Sequence, residues 1–66
     1  MKLKVDEKTD AVYLRLDDSE IIDSKEVSDG IILDYNENDE VVGIEILHIS
    51  KRTQPINLKS LQYEAV

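Results

Sequence analysis

The stretch from Gly30 to Leu47 does most to constrain what this chain can fold into. It reads Gly30-Ile31-Ile32-Leu33-Asp34-Tyr35, then Asn36-Glu37-Asn38-Asp39, then Glu40-Val41-Val42-Gly43-Ile44-Glu45-Ile46-Leu47. Two β-branched, apolar segments flank a polar break, which is the pattern of a β-hairpin. With Asn36–Asp39 as the loop, Tyr35 lies opposite Glu40, Leu33 opposite Val42 and Ile31 opposite Ile44. A slip by one residue would throw these side chains onto opposite faces. Burial therefore selects this register or one two residues away. One face then holds Ile31, Leu33 and Tyr35 with Val42, Ile44 and Ile46. The other holds Ile32, Asp34, Val41, Glu45 and Leu47 and is mixed in character. Gly43 weakens a strand interior, so it predicts a bulge or the close approach of an aromatic ring, with Tyr13 and Tyr35 as candidates.

The chain before the hairpin adds strands to it. Leu3 and Val5 alternate with Lys2, Lys4 and Asp6, giving a short strand with one wet face. Asp6–Asp10 is a polar turn. In Ala11–Leu16, the residues Val12, Leu14 and Leu16 share a face, and Ala11, Tyr13 and Arg15 share the other. Asp17-Asp18-Ser19-Glu20 breaks the period. Ile21–Ser28 reads as a charge-guarded edge strand. Asp29-Gly30 predicts a two-residue type I′ turn into the central hairpin. Beyond it, Pro55 separates two pieces, and Asn57 is placed to cap a short helix from Leu58 to about Tyr63. Leu58 and Leu61 fall on one side of that helix. The expected fold is α+β: a single domain, residues 1–66, built as a small antiparallel meander of about five strands with a short C-terminal helix. Its expected core is Leu3, Val5, Val12, Leu14, Leu16, Ile31, Leu33, Val42, Ile44 and Ile46, covered on one side by Leu58 and Leu61.

Composition narrows the function classes. At 66 residues the chain is near the lower limit for folding alone. It has no cysteine, hence no disulfide or thiolate metal site. With one histidine, a zinc site would need carboxylates, and no cofactor is expected. Self-association is the remaining source of stability, so a homodimer is expected. The net charge of −7, from 15 acidic and 8 basic residues, repels phosphate backbones. Lys51-Arg52 beside His48 is too small a basic patch for direct nucleic-acid binding. An acidic surface suits a basic protein partner. No apolar run reaches the roughly 20 residues of a membrane span, and the N-terminus lacks the apolar core of a signal peptide. A cytoplasmic location follows as an expectation.

The ordered pieces resemble a known family. Val5-Asp6-Glu7-Lys8-Thr9-Asp10-Ala11-Val12-Tyr13-Leu14-Arg15-Leu16 is similar to an opening of the form Y-D-x-x-x-D-A-x-Y-I-x-L. Asp29-Gly30-Ile31-Ile32-Leu33-Asp34-Tyr35, Val42-Gly43-Ile44-Glu45-Ile46-Leu47 and Ser50-Lys51-Arg52 complete a pattern that resembles the YuzE-like family, a bacterial and archaeal domain of unknown function. The resemblance implies a small antiparallel sheet with short helical elements and no established activity. It also implies, for some members, a small toxin protein as partner. Asp39 stands where the family's loop often has Gly, and His48 where a small acidic or amide residue is common.

Three groups of residues are candidates for chemistry. Asp6, Glu7 and Asp10, like Asp17, Asp18 and Glu20, are carboxylates in turns, where Asp serves local backbone hydrogen bonds. Arg15, Asp34 and Glu45 interrupt apolar strands, and an ion pair of Arg15 with one of the carboxylates, or the polar part of a dimer interface, accounts for them. Asp34, Glu45 and His48 are the residues that a small hydrolase or metal-dependent enzyme would use, provided that they converge in a pocket. The leading expectation is non-enzymatic. An interaction face of Tyr13, Arg15, Ile32, Asp34, Val41, Glu45 and Leu47 would bury against a second copy or another protein, such as a small basic toxin.

Overall fold

The computed structural model describes residues 1–66. Five strands form one antiparallel sheet: β1 (Lys2–Asp6), β2 (Ala11–Arg15), β3 (Asp23–Ser28), β4 (Ile31–Tyr35) and β5 (Val41–Ile46). The one helical element is a single 3-10 turn, Ile49–Lys51. The protein is therefore nearly all-β, which corrects the expected α+β class. No helix forms at Leu58–Tyr63. The Asn57 side chain instead accepts the Lys59 N–H at 3.1 Å, and its carbonyl accepts the Ser60 N–H at 3.2 Å. One local turn satisfies Asn57, and the following residues are too few to nucleate a helix unaided.

The strand order, β1-β2-β5-β4-β3, also corrects the meander. β2 pairs with β5, and the chain from Leu16 to Ile22 then passes the end of the central hairpin to reach the far edge. That crossing is pinned at both ends. The Leu16 N–H donates to the Val42 carbonyl at 2.8 Å, and the Ile22 N–H to the Tyr35 carbonyl at 2.9 Å. Between them the Arg15 guanidinium donates to the Asp17 carbonyl at 2.6 Å and to the Ser19 carbonyl. β3 starts at Asp23, later than the expected Ile21.

The central hairpin takes the alternative register. Leu33 faces Ile44 and Ile31 faces Ile46, with a bulge where Tyr35 meets Val41. The loop holds this register because Asn36 is buried and fully used. Its Oδ1 accepts the Asn38 and Glu40 N–H groups at 2.9 and 3.0 Å, and its Nδ2 donates to Glu40 Oε1 at 3.0 Å. Asp39 closes the loop at φ 61°, a conformation that Gly takes freely and Asp tolerates. At Asp29-Gly30 only Gly30 has positive φ, so the turn is not type I′. A bulge between Glu26 and Ser28 supplies local twist instead.

Alternation gives the sheet two unlike faces. Leu3, Leu14, Ile44 and Leu33 lie in one row, and Val5, Val12, Ile46 and Ile31 in the next. This is the expected core face, yet only Val42 of the expected core residues is buried. Leu14, Leu33, Ile31 and Ile44 are half-buried, while Leu3, Leu16 and Ile46 are 38% exposed and Val5 42%. The correction has a simple cause: without a C-terminal helix, no second layer covers them. Leu58 is half-buried and Leu61 is 75% exposed at the margin of this face.

Candidate interaction surfaces

The opposite face is polar, and its centre is a chain of hydrogen bonds across four strands. Tyr13 on β2 lies across Gly43 of β5. Its hydroxyl donates to Asp34 Oδ2 on β4 at 2.7 Å, and the Ser24 hydroxyl on β3 donates to Asp34 Oδ1 at 2.5 Å. Gly43 makes this crossing possible. A Cβ there would stand 2.8 Å from Tyr13 Cζ and 2.9 Å from Asp34 Oδ2. Tyr13 is thus the aromatic ring that the glycine admits. Burial, then the hydrogen bond to Asp34, push the phenol above its usual pKa. The carboxylate is held by two neutral hydroxyls and has no cation against it, since the chain's one ion pair is Lys25–Asp23 at 3.9 Å. The expected Arg15 ion pair is therefore absent, because the crossing loop uses the guanidinium.

Of the remaining residues of the expected interaction face, Arg15, Ile32 and Glu45 share this side, while Val41 sits where a bulge breaks the alternation. Glu45 lies between Tyr13 and Ile32 in one cross-strand row. Val41 stands at the bulge opposite Tyr35, and Leu47 follows β5, its N–H donating to the Gly30 carbonyl at 2.8 Å. Lys2, Lys4 and Arg15 gather on β1 and β2, where with Tyr13 and Asp18 they line a hollow of about 260 Å³. Ser24, which completes the Asp34 network, has no distinguishing mark in the sequence. Its position opposite Asp34 becomes visible only once the β3–β4 register is known.

Asp34, Glu45 and His48 do not form a joint site. His48 lies past the end of β5 in a left-handed conformation (φ 58°), and its ring packs towards Gly30. No three His, Asp or Glu side chains anywhere in the chain are arranged to hold a metal ion. The turn carboxylates serve the backbone. Asp6 accepts the Lys8 and Thr9 N–H groups at 3.0 and 3.2 Å, and Asp17 accepts the Ser19 N–H at 2.8 Å.

Asp10 does something the sequence does not announce. Its carboxylate accepts the Ser50 hydroxyl at 2.8 Å and the Ser50 N–H at 2.9 Å, while its carbonyl accepts the Ile49 N–H at 3.1 Å. This clamp ties the 3-10 turn to the β1–β2 turn and buries Ile49. The Ser50 hydroxyl, then its N–H, hold the Asp10 carboxyl below the ordinary range. Thr9 does the same for Asp6, and Ser19 for Asp17.

The apolar face carries an apolar hollow of about 350 Å³. Its floor is Leu3, Val5, Val12 and Ile46, and its wall is Ile56, Leu58 and Leu61. Acidic loops close the far end of the sheet: Asp17, Asp18 and Glu20 before β3, and Glu37, Asp39 and Glu40 before β5. No helix is long and apolar enough to cross a membrane. No curated protein and no solved structure matches the chain. Residues 2–50 do match the family model described as "Protein of unknown function (DUF2283)", and the chain belongs to that family.

Proposed function

We propose that this chain is a non-enzymatic protein-interaction module that docks another protein on the apolar face of its sheet. One observation carries the reading: two rows of Leu, Val and Ile side chains are half-exposed, with only the Ile56–Leu61 margin of the same chain beside them and no complete layer above. Contiguous apolar surface of this kind marks interaction sites. The polar face is the weaker candidate for docking, because its central groups already bond to one another. The YuzE-like kinship suggested by the sequence belongs to this proposal, as the family match itself names only a domain of unknown function.

A second reading draws on charge. The acidic loops at one end of the sheet would suit a small basic protein, the toxin-like partner of the family resemblance. Binding of that kind would weaken steeply with salt, whereas docking on the apolar face would not.

A photo-crosslinking residue in place of Leu33, on the apolar face, tests the main reading against one in place of Ile32, on the polar face. In the native host, position 33 should give protein adducts in clear excess over position 32. Equal yields, or none from position 33, would refute it.

A further inference from the structure

We infer that the protein on the apolar face is a second copy of this chain, so that the folded unit is a two-layer β-sandwich of two five-stranded sheets. This assignment of the partner rests on the docking reading above.

Six of 66 residues are buried, and the apolar ones are Ala11, Val42 and Ile49. The others are Gly30, Gly43 and Asn36. A single sheet cannot bury its own apolar face, and a chain of this size has little surplus stability. Residues 52–66 cover only one margin of the face: Ile56 and Leu58 stand beside Leu3, Val5, Val12 and Ile46, but the backbone of this segment bonds only within the Asn57–Ser60 turn, and Leu61 stays 75% exposed. A cover needed for folding must be present wherever the chain is made. A second copy meets that condition by its nature, and small domains with neither disulfide nor metal commonly gain their stability in this way.

Two copies bring together two chains of net charge −7. The rows Leu3–Leu14–Ile44–Leu33 and Val5–Val12–Ile46–Ile31 contain no charged residue. Lys25 continues the first row at the β3 margin and is already paired with Asp23. The carboxylates of Asp34 and Glu45 point to the other side, and the acidic loops lie at one end. The meeting surface is thus apolar at its centre and polar at its rim, the anatomy of a homodimer interface. A two-fold pairing of this face with itself is closed and leaves no free copy of it.

At about 4.8 Å between strands and about 3.4 Å per residue, the four strands that carry the apolar rows measure roughly 19 by 17 Å, or about 330 Å² in projection. A standard interface buries about 800 Å² per partner. The sheet face alone falls short, so the margin must contribute. Ile56 and Leu61 wall the apolar hollow and are exposed in one copy. They extend the contact onto the partner's sheet.

Sedimentation equilibrium of the full chain, with melting followed over a hundredfold concentration range, tests this. The wild type should sediment as a dimer and melt at a temperature that rises with concentration. Leu61→Ser removes a side chain that one copy leaves in solvent, so it should weaken the dimer about tenfold without unfolding the subunit. Lys4→Glu, on the outer face, should leave the dimer intact. A folded wild-type monomer with a concentration-independent melt would overturn the inference. So would a dimer indifferent to Leu61→Ser but broken by Lys4→Glu, which would place the contact on the polar face. A folded monomer that still gives adducts to a different protein from position 33 would refute the second copy alone. A monomer with no adducts would refute the docking reading as well.

Discussion

On one face of the sheet Tyr13 reaches across Gly43 to Asp34, and Ser24 meets the same carboxylate from the other side. On the other face Leu14, Ile44 and Leu33 stand side by side with solvent above them. Both faces come from the same alternation, yet only one is complete within a single chain. The difference lies in the reach of the forces. A hydrogen-bond network can run in the plane of a sheet, from strand to strand, and no buried side-chain polar atom here lacks a partner. Apolar burial needs atoms above the plane as well as beside it. A one-layer sheet therefore finishes its polar face alone and leaves its apolar one half-exposed.

Four changes sharpen or break this contrast. The largest effect is expected at Gly43. Gly43→Ala puts a methyl group against the Tyr13 ring and the Asp34 carboxylate, and should cost about 2 kcal/mol in urea unfolding. In a Tyr13→Ala background the same change should cost much less, because only the contact with the Asp34 carboxylate is left to relax. A cost that persists in full without the ring would break the claim that Gly43 exists for Tyr13. Next, Tyr13→Phe keeps the ring and removes one hydrogen bond to Asp34, for a loss of about 1 kcal/mol. An unchanged midpoint would show that the polar face is solvated and not bound together.

His48→Asn should stabilise slightly, by about 0.5 kcal/mol, because Asn adopts the left-handed conformation at φ 58° more readily. The smallest effect concerns acid. Asp6, Asp10 and Asp17 have folded pKa values below the ordinary value of an Asp carboxyl. Their contribution is complete above that value and fades as pH falls through the depressed folded values. The melting temperature should therefore hold steady from neutral pH to about pH 5 and drop below about pH 4. Asp10→Asn should flatten part of that drop. It should also speed amide exchange at Ile49 and Ser50, whose N–H groups Asp10 accepts. Exchange at Val42, far from the clamp, should not change.

Much of the sheet was legible in the sequence. Apolar alternation in Leu3–Val5, Val12–Leu16 and Ile31–Ile46 marked the strands, and Gly43 marked the approach of Tyr13. Strand order was not legible, because pairing of β2 with β5 depends on where a seven-residue acidic crossing lands, which periodicity does not encode. The missing helix has another cause. Leu58 and Leu61 have helical spacing, but six residues cannot hold a helix without a packing partner, and Asn57 satisfies itself in a local turn. The Asp10–Ser50 clamp was hidden for a simpler reason: two polar residues forty positions apart carry no mutual signal until the fold joins them. The left-handed conformations at Asp39 and His48 were not legible either, since neither residue is a glycine and apolar periodicity does not mark backbone sign.

The most direct test of the account compares the two faces in solution. A soluble paramagnetic agent should be added to the protein, and the relaxation of the Leu14, Leu33 and Ile44 methyl groups compared with that of the Tyr13 ring. The account predicts methyl groups far better shielded than one half-buried sheet face allows, beside a Tyr13 ring that relaxes as its single-chain exposure requires. Methyl groups relaxed as fully as an uncovered sheet demands, at concentrations where the protein is folded, would contradict it.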